Sequence, residues 1–116
     1  MDFRERKVLI LIPSKPFGKI FAAEGWRAAV GMFGMDHTSQ MLFIGDGVYG
    51  LLKDQDIVPI RMFKSTFESF DGRICVSKKS LDERHITRKE IFDEVEILDE
   101  GDVAKVFVEN EVVITF

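Results

Sequence analysis

Cysteine and proline are scarce in this sequence, which has 1 and 3 of them among 116 residues. A single cysteine excludes an internal disulfide, and the two histidines add too few ligands, too irregularly spaced, for a structural zinc site. No segment combines low hydrophobicity with a long run of like charge, so the sequence predicts no disordered tail. With 46% hydrophobic residues, residues 1–116 are expected to fold as a single domain.

Long hydrophobic runs are also missing. A membrane-spanning helix needs roughly 18 consecutive apolar residues, whereas the longest run here, residues 8–12, lies between Lys7 and Pro13. That run is also shorter than the apolar core of a secretory signal, which has about 7 residues or more. We therefore expect a cytoplasmic protein that makes no contact with a membrane.

Positive charge is not gathered into a strong basic face. The net charge is −4, and it divides into +3 for residues 1–81 and −7 for residues 82–116. No basic run is longer than Lys78 and Lys79, and two residues are too few to neutralise an extended phosphate backbone. The distribution argues against direct nucleic-acid binding by the whole surface and leaves open a local RNA contact.

Short apolar runs alternate with segments of helical periodicity. The runs are rich in Val, Ile and Phe and have the length of strands, at residues 7–12, 40–44, 73–77, 94–98 and 112–116. Helical spacing occupies residues 22–33 and 60–70, and helix-start signals occur at Ser80, with Glu83 three residues on, and at Asp99. This alternation predicts an α/β protein, a three-layer α/β/α sandwich with a mostly parallel five-stranded sheet.

The first predicted helix is apolar over most of its circumference. From Trp26 to Met35 only Arg27 is charged, and Met32 and Phe33 widen the apolar stripe. A helix of this kind needs a second partner besides its own sheet, and a chain this small covers few of its helices all round. We therefore expect an oligomer.

Residues 45–50 read G-D-G-V-Y-G after a predicted strand, a literal G-x-G-x-x-G. In a dinucleotide site the third glycine lies in a long helix, but Pro59 follows within nine residues of Gly50, and Asp46 would place a carboxylate where the anion binds. The motif therefore indicates a turn that leaves the strand. Asp46 is the better acid candidate at this strand end, because neither His37 nor His85 has a nucleophile at a recognisable spacing.

Cys75 is the only thiol, near the end of the third predicted strand. As a functional residue it would be a nucleophile or a sulfur carrier, and as a structural one a small buried apolar side chain. Lys78, Lys79 and a helix beginning near Ser80 would lower its pKa through positive charge and the helix dipole. Ser77 projects from the same face of a regular strand. We expect no bound cofactor or metal.

Several segments together resemble the DsrE/DsrF/TusC-like sulfur-relay proteins, most closely the DsrF/TusC branch. The similarity lies in the first strand with Pro13 and Ser14, then residues 24–25, 42–48, 51–52, 66–67, 80–84 and 110–116. The resemblance implies a cytoplasmic α/β protein that works in an oligomer with related DsrE- and DsrH-type subunits and with sulfur donor and acceptor proteins. There a cysteine of the DsrE-type subunit carries sulfur as a persulfide, for tRNA 2-thiolation or for sulfur oxidation.

This sequence departs from the family at the cysteine. Where relatives place it after the third strand, aligned on Ser80 and Leu81, this chain has Ser77, and Cys75 lies two residues earlier. A serine hydroxyl cannot carry a persulfide. Either Cys75 substitutes as the carrier, which would make the chain a sulfurtransferase component, or the chain is a non-catalytic subunit that supports a partner. A homo-oligomer of the same fold without sulfur chemistry is the alternative from another class.

Overall fold

A computed structural model of the chain describes residues 4–15 and 21–116. Its strands form one five-stranded sheet in the order β4-β3-β2-β1-β5, in which every neighbouring pair is parallel. The strands are β1 (Lys7–Ile12), β2 (Thr38–Phe43), β3 (Arg73–Ser77), β4 (Glu96–Leu98) and β5 (Val112–Thr115). The predicted fold class is confirmed, and β1 and β3 have the predicted bounds.

Four α-helices connect the strands: α1 (Phe21–Gly34), α2 (Arg61–Ser69), α3 (Lys78–Glu83) and α4 (Glu100–Glu109). Two 3-10 helices, Gly45–Leu51 and Arg88–Glu90, lie in the connections. The predicted start of α3 at Ser80 is wrong, because the helix begins at Lys78 and Ser77 caps it. Across residues 4–15 and 21–116, no helix has both the length and the apolar character to cross a membrane.

The two faces of the sheet bury unequal cores. The face toward α1 and α2 carries the larger one, in which the even-numbered residues of β1 meet Trp26 and Phe67. The opposite face carries a small cluster beneath α4, formed by Leu9, Leu42, Cys75, Leu98 and Val106. Parallel strands with apolar side chains on both faces require a helical layer on each side, which is the arrangement found.

The apolar surface of α1 packs against two elements of the same chain, the sheet and α2. Trp26 is 1% exposed and packs edge-on to Phe67, with 6.1 Å between the ring centroids. Phe33 stacks on Phe70 at 5.2 Å, so α2 covers the side of α1 that the sheet leaves open. The side chains of Met32 and Phe33 are half-buried in the single chain, whereas Met35 just after α1 is 54% exposed, so the oligomer stays a prediction.

Candidate functional site

The carboxyl end of β3 joins α3 without a loop. Ser77 ends the strand and accepts a hydrogen bond through Oγ from the backbone N–H of Ser80 at 3.2 Å, which makes it the N-cap of α3. Lys78 and Lys79 follow in the first turn of α3 and are exposed to solvent, where Lys79 Nζ lies 3.3 Å from Glu100. Ser77 thus has a structural role at the position where the family resemblance implies a cysteine.

Replacing Ser77 with alanine removes the capping hydroxyl and leaves the Ser80 N–H without its partner. We expect Ser77→Ala to lower the free energy of unfolding by about 1 kcal/mol, the usual effect of losing an N-cap. Urea denaturation measures this change. Ser77→Thr keeps a hydroxyl and is the matched control, and equal stability of the alanine variant and the wild-type protein would contradict the capping role.

Asp46 belongs to a bridge between the end of β2 and α3. Arg84 places its guanidinium against the carboxylate, with both Nε and Nη2 3.1 Å from Asp46 Oδ1, and donates from Nη1 to the carbonyl of Ser80 at 3.1 Å. Ser80 Oγ also accepts from the N–H of Gly45 at 2.9 Å. Asp46 therefore lies at the predicted strand end and is paired with Arg84, which the sequence did not indicate as a site residue.

The G-x-G-x-x-G segment forms the 3-10 helix Gly45–Leu51 instead of the start of an α-helix. Gly45 has a φ of +51°, a left-handed conformation that favours glycine. Gly47 passes so close to the end of β1 that a Cβ atom on it would lie 1.9 Å from the carbonyl oxygen of Ile12. The glycines serve a tight turn and a close backbone approach, which agrees with the interpretation of the motif as a turn.

Cys75 lies in the middle of β3 and faces α4. Its side chain is 0% exposed and packs in the small cluster beneath that helix. Sγ donates toward Glu96 Oε2 at 3.6 Å and accepts from Gln40 Nε2 at 3.8 Å. Both polar neighbours belong to the adjacent strands and lie toward the amino ends of the sheet.

Burial raises the pKa of the Cys75 thiol from its ordinary value of 9.0 to about 11, because the low-dielectric surroundings disfavour the thiolate. The Gln40 hydrogen bond and the charge of Arg73 oppose the rise in pKa, and Glu96 adds to it. The expectation that Lys78, Lys79 and the start of α3 lower this pKa is wrong. Those groups lie beyond the carboxyl end of β3, and the thiol lies within the sheet.

The two histidines lie in turns next to helices, His37 after α1 and His85 after α3. His37 accepts a hydrogen bond at Nδ1 from the backbone of Arg6 at 3.0 Å, and His85 follows α3 with a positive φ of 55°. In the part of the chain that the structure describes, no three side chains of the His, Cys, Asp and Glu types gather as a metal site. The carboxyl edge therefore carries the exposed Lys78 and Lys79 and the Asp46–Arg84 pair, whereas the Cys75 thiol lies within the sheet.

Three comparisons relate the chain to known proteins. The sequence profile of the DsrE/DsrF-like family matches residues 6–116. The chain is 28% identical over 131 residues to the "Intracellular sulfur oxidation protein DsrF" of Allochromatium vinosum, with 96% of each chain covered. The fold matches the crystal structure of the ychN protein from E. coli, with a TM-score of 0.80, 19% identity, and 97% of this chain and 100% of that chain covered.

A second solved structure is a protein of unknown function from Methanobacterium thermoautotrophicum, which gives a TM-score of 0.70 at 14% identity. It covers 97% of this chain and 100% of that chain. At such identities the two solved structures establish the fold alone. The match of the sequence profile over nearly the whole chain confirms the resemblance found in the sequence.

Proposed function

The chain belongs to the DsrE/DsrF-like family, and from this membership we propose that it is a cytoplasmic, single-domain subunit of a sulfur-relay complex. The name of the Allochromatium vinosum relative, with which the chain shares 28% identity, favours sulfur oxidation over tRNA thiolation as the pathway. The proposed partners are related DsrE- and DsrH-type subunits together with proteins that donate and accept sulfur.

We further propose that a partner subunit, and not this chain, carries the sulfur. The observation that carries this proposal is the complete burial of Cys75, the only thiol of the chain. In a relay step the acceptor thiolate attacks the outer sulfur of a donor persulfide, forms a new persulfide and releases the donor as a thiolate. That attack needs an accessible and ionised thiol, and burial combined with a raised pKa opposes both conditions for Cys75.

Exposed apolar side chains near the end of the chain support assembly with other subunits. Val108 is 85% exposed at the end of α4, and Val112 and Val113 are exposed on β5, an edge strand of the sheet. An edge strand with apolar neighbours is a surface that proteins normally cover. We propose that a related subunit of the family packs against this edge.

Co-expression with DsrE- and DsrH-type relatives, followed by light scattering, tests the assembly. We expect the three chains to co-elute, and Val108→Asp to reduce that association at least about tenfold because it buries a charge in the interface. Met62→Asp is the matched control, since Met62 is 77% exposed on the opposite helical layer and should leave the complex intact. A co-expressed chain that elutes alone near 13.3 kDa would contradict the proposal.

The burial of Cys75 also favours the alternative, a homo-oligomer of this fold without sulfur chemistry. The two proposals differ in the composition of the purified assembly. Related chains that co-purify in fixed ratio support the relay subunit, whereas an assembly of this chain alone, formed in the presence of those relatives, supports the alternative.

A further inference from the structure

A polar cavity of about 200 Å³ opens at the amino ends of the strands, at the opposite end of the sheet from α3. Its volume is below the roughly 300–1,000 Å³ of sites for drug-sized ligands and suits a small metabolite. The strands, the end of α4 and the turn before β3 all contribute side chains to it. Those that bear charge or a side-chain amide are Lys7, Gln40, Asp71, Arg73, Glu109 and Asn110.

Two residues that line the cavity, Gln40 and Asn110, have side-chain amides held in place by hydrogen bonds. Gln40 is only 8% exposed, and its Oε1 accepts a hydrogen bond from Asn110 Nδ2 at 3.0 Å. Asn110 Nδ2 also donates to the carbonyl of Val106 at 2.7 Å, which holds this pair of amides against α4. The Gln40 amide donates only a long hydrogen bond to Cys75 Sγ, at 3.8 Å, within the ranges that the structure describes. Buried amide groups held in this way serve as fixed donors and acceptors for a polar ligand.

The charged side chains that line the cavity include both signs. Lys7 and Arg73 supply two cations, and Asp71 and Glu109 supply two anions. Glu96 fixes the Arg73 guanidinium by a contact of 2.8 Å with Nε, so that the cation has a defined position. Asp71 has a φ of 60° and belongs to the turn that ends α2, where its N–H donates to the carbonyl of Glu68 at 2.9 Å.

From this arrangement we propose that the cavity binds a small zwitterion of amino-acid size. Lys7 and Arg73 would receive the carboxylate, Asp71 and Glu109 the ammonium group, and the Gln40 and Asn110 amides the remaining polar atoms. A simple anion would leave Asp71 and Glu109 without an opposite charge from the ligand, and a simple cation would leave Lys7 without one. A ligand with both charges offers a partner to each, and Arg73, whose Nε contacts Glu96, offers it the remaining guanidinium nitrogens.

Titration of the full chain with L-serine, followed by NMR of the Gln40 and Asn110 side-chain amides, tests the proposal. We expect saturable shifts at millimolar concentration, and none with acetate or ethylammonium, each of which has one of the two charges. Shifts that do not saturate by about 10 mM, or equal saturation with acetate, would overturn the proposal.

Substitutions of the charged residues at the rim test whether serine binds in this cavity. Lys7 and Glu109 are exposed, so Lys7→Gln and Glu109→Gln should leave the fold intact and weaken serine binding about fivefold each. Lys79→Gln and Glu100→Gln make the same charge changes at the other end of the sheet and should leave the affinity within about twofold. Equal effects of both pairs would overturn the assignment to this cavity.

Discussion

Replacing Gly47 with alanine is expected to destabilise the protein by about 3 kcal/mol or more, the upper range for forcing atoms into a packed site. The new Cβ would lie 1.9 Å from the carbonyl oxygen and 2.8 Å from the carbonyl carbon of Ile12. These are backbone atoms at the end of β1, which cannot rotate away as a side chain can. Relief would require the 3-10 helix to move off the sheet and Val48 to leave the core, where it is 0% exposed.

Gly31 offers the matched control because, among the residues that the structure describes, no atom outside its neighbours and its own helix backbone lies within 4 Å of a Cβ built on it. Gly31→Ala in α1 should be neutral or stabilising by up to about 1 kcal/mol, since alanine is the better helix former. Thermal and urea denaturation of both variants measure the difference. Similar stability of the two variants would contradict the close-approach role assigned to the glycine motif.

Alkylation of Cys75 in the native protein is expected to be at least about 100-fold slower at neutral pH than in the unfolded chain. A rise of the thiol pKa from 9.0 to about 11 reduces the thiolate fraction by about that factor, and complete burial slows the reaction further. Mass spectrometry after timed addition of iodoacetamide measures both rates.

The pH dependence of that rate has a defined sign. Because the reactive species is the thiolate and its pKa is raised, the native rate should continue to increase as the pH rises through 9 toward about 11. The chain unfolded in urea is the control, and its rate should level off above pH 9, the ordinary thiol value. A native rate within tenfold of the unfolded one at neutral pH would contradict the burial of the thiol.

Much of the fold could be predicted because the spacing of hydrophobic residues along the chain follows which side chains are buried against the sheet. The bounds of β1 and β3 were predicted correctly because the apolar run of β1 lies between Lys7 and Pro13 and that of β3 between Arg73 and Ser77. The predicted β4 began two residues too early, since Glu94 and Val95 continue the pattern but lie in the preceding turn. Helical spacing placed α1 and α2 within one residue of their bounds, but Ser77 was missed as the cap of α3 because it also fits the end of the strand.

The candidate site was less predictable because its contacts join residues that are distant in sequence. Asp46 and Arg84 are separated by 38 positions, and no local sequence pattern predicts that they pair. The environment of Cys75 depends on Gln40 and Glu96 from the neighbouring strands, whereas Lys78 and Lys79 are near in sequence and lie beyond the strand end. Closeness in sequence therefore suggested that the Cys75 thiol has cationic neighbours. The register of the strands instead places it beside the Gln40 amide and the Glu96 carboxylate.

The most direct test of the proposed function is to follow sulfur onto the subunits of the assembled complex. The complex is incubated with a cysteine desulfurase and cysteine, and intact-mass analysis then detects sulfur that a reductant removes from each chain. We predict added sulfur on the DsrE-type partner and none on this chain, with the same pattern in a complex that contains Cys75→Ser. Reductant-sensitive sulfur on this chain that disappears in the Cys75→Ser variant would contradict the account and identify Cys75 as a carrier.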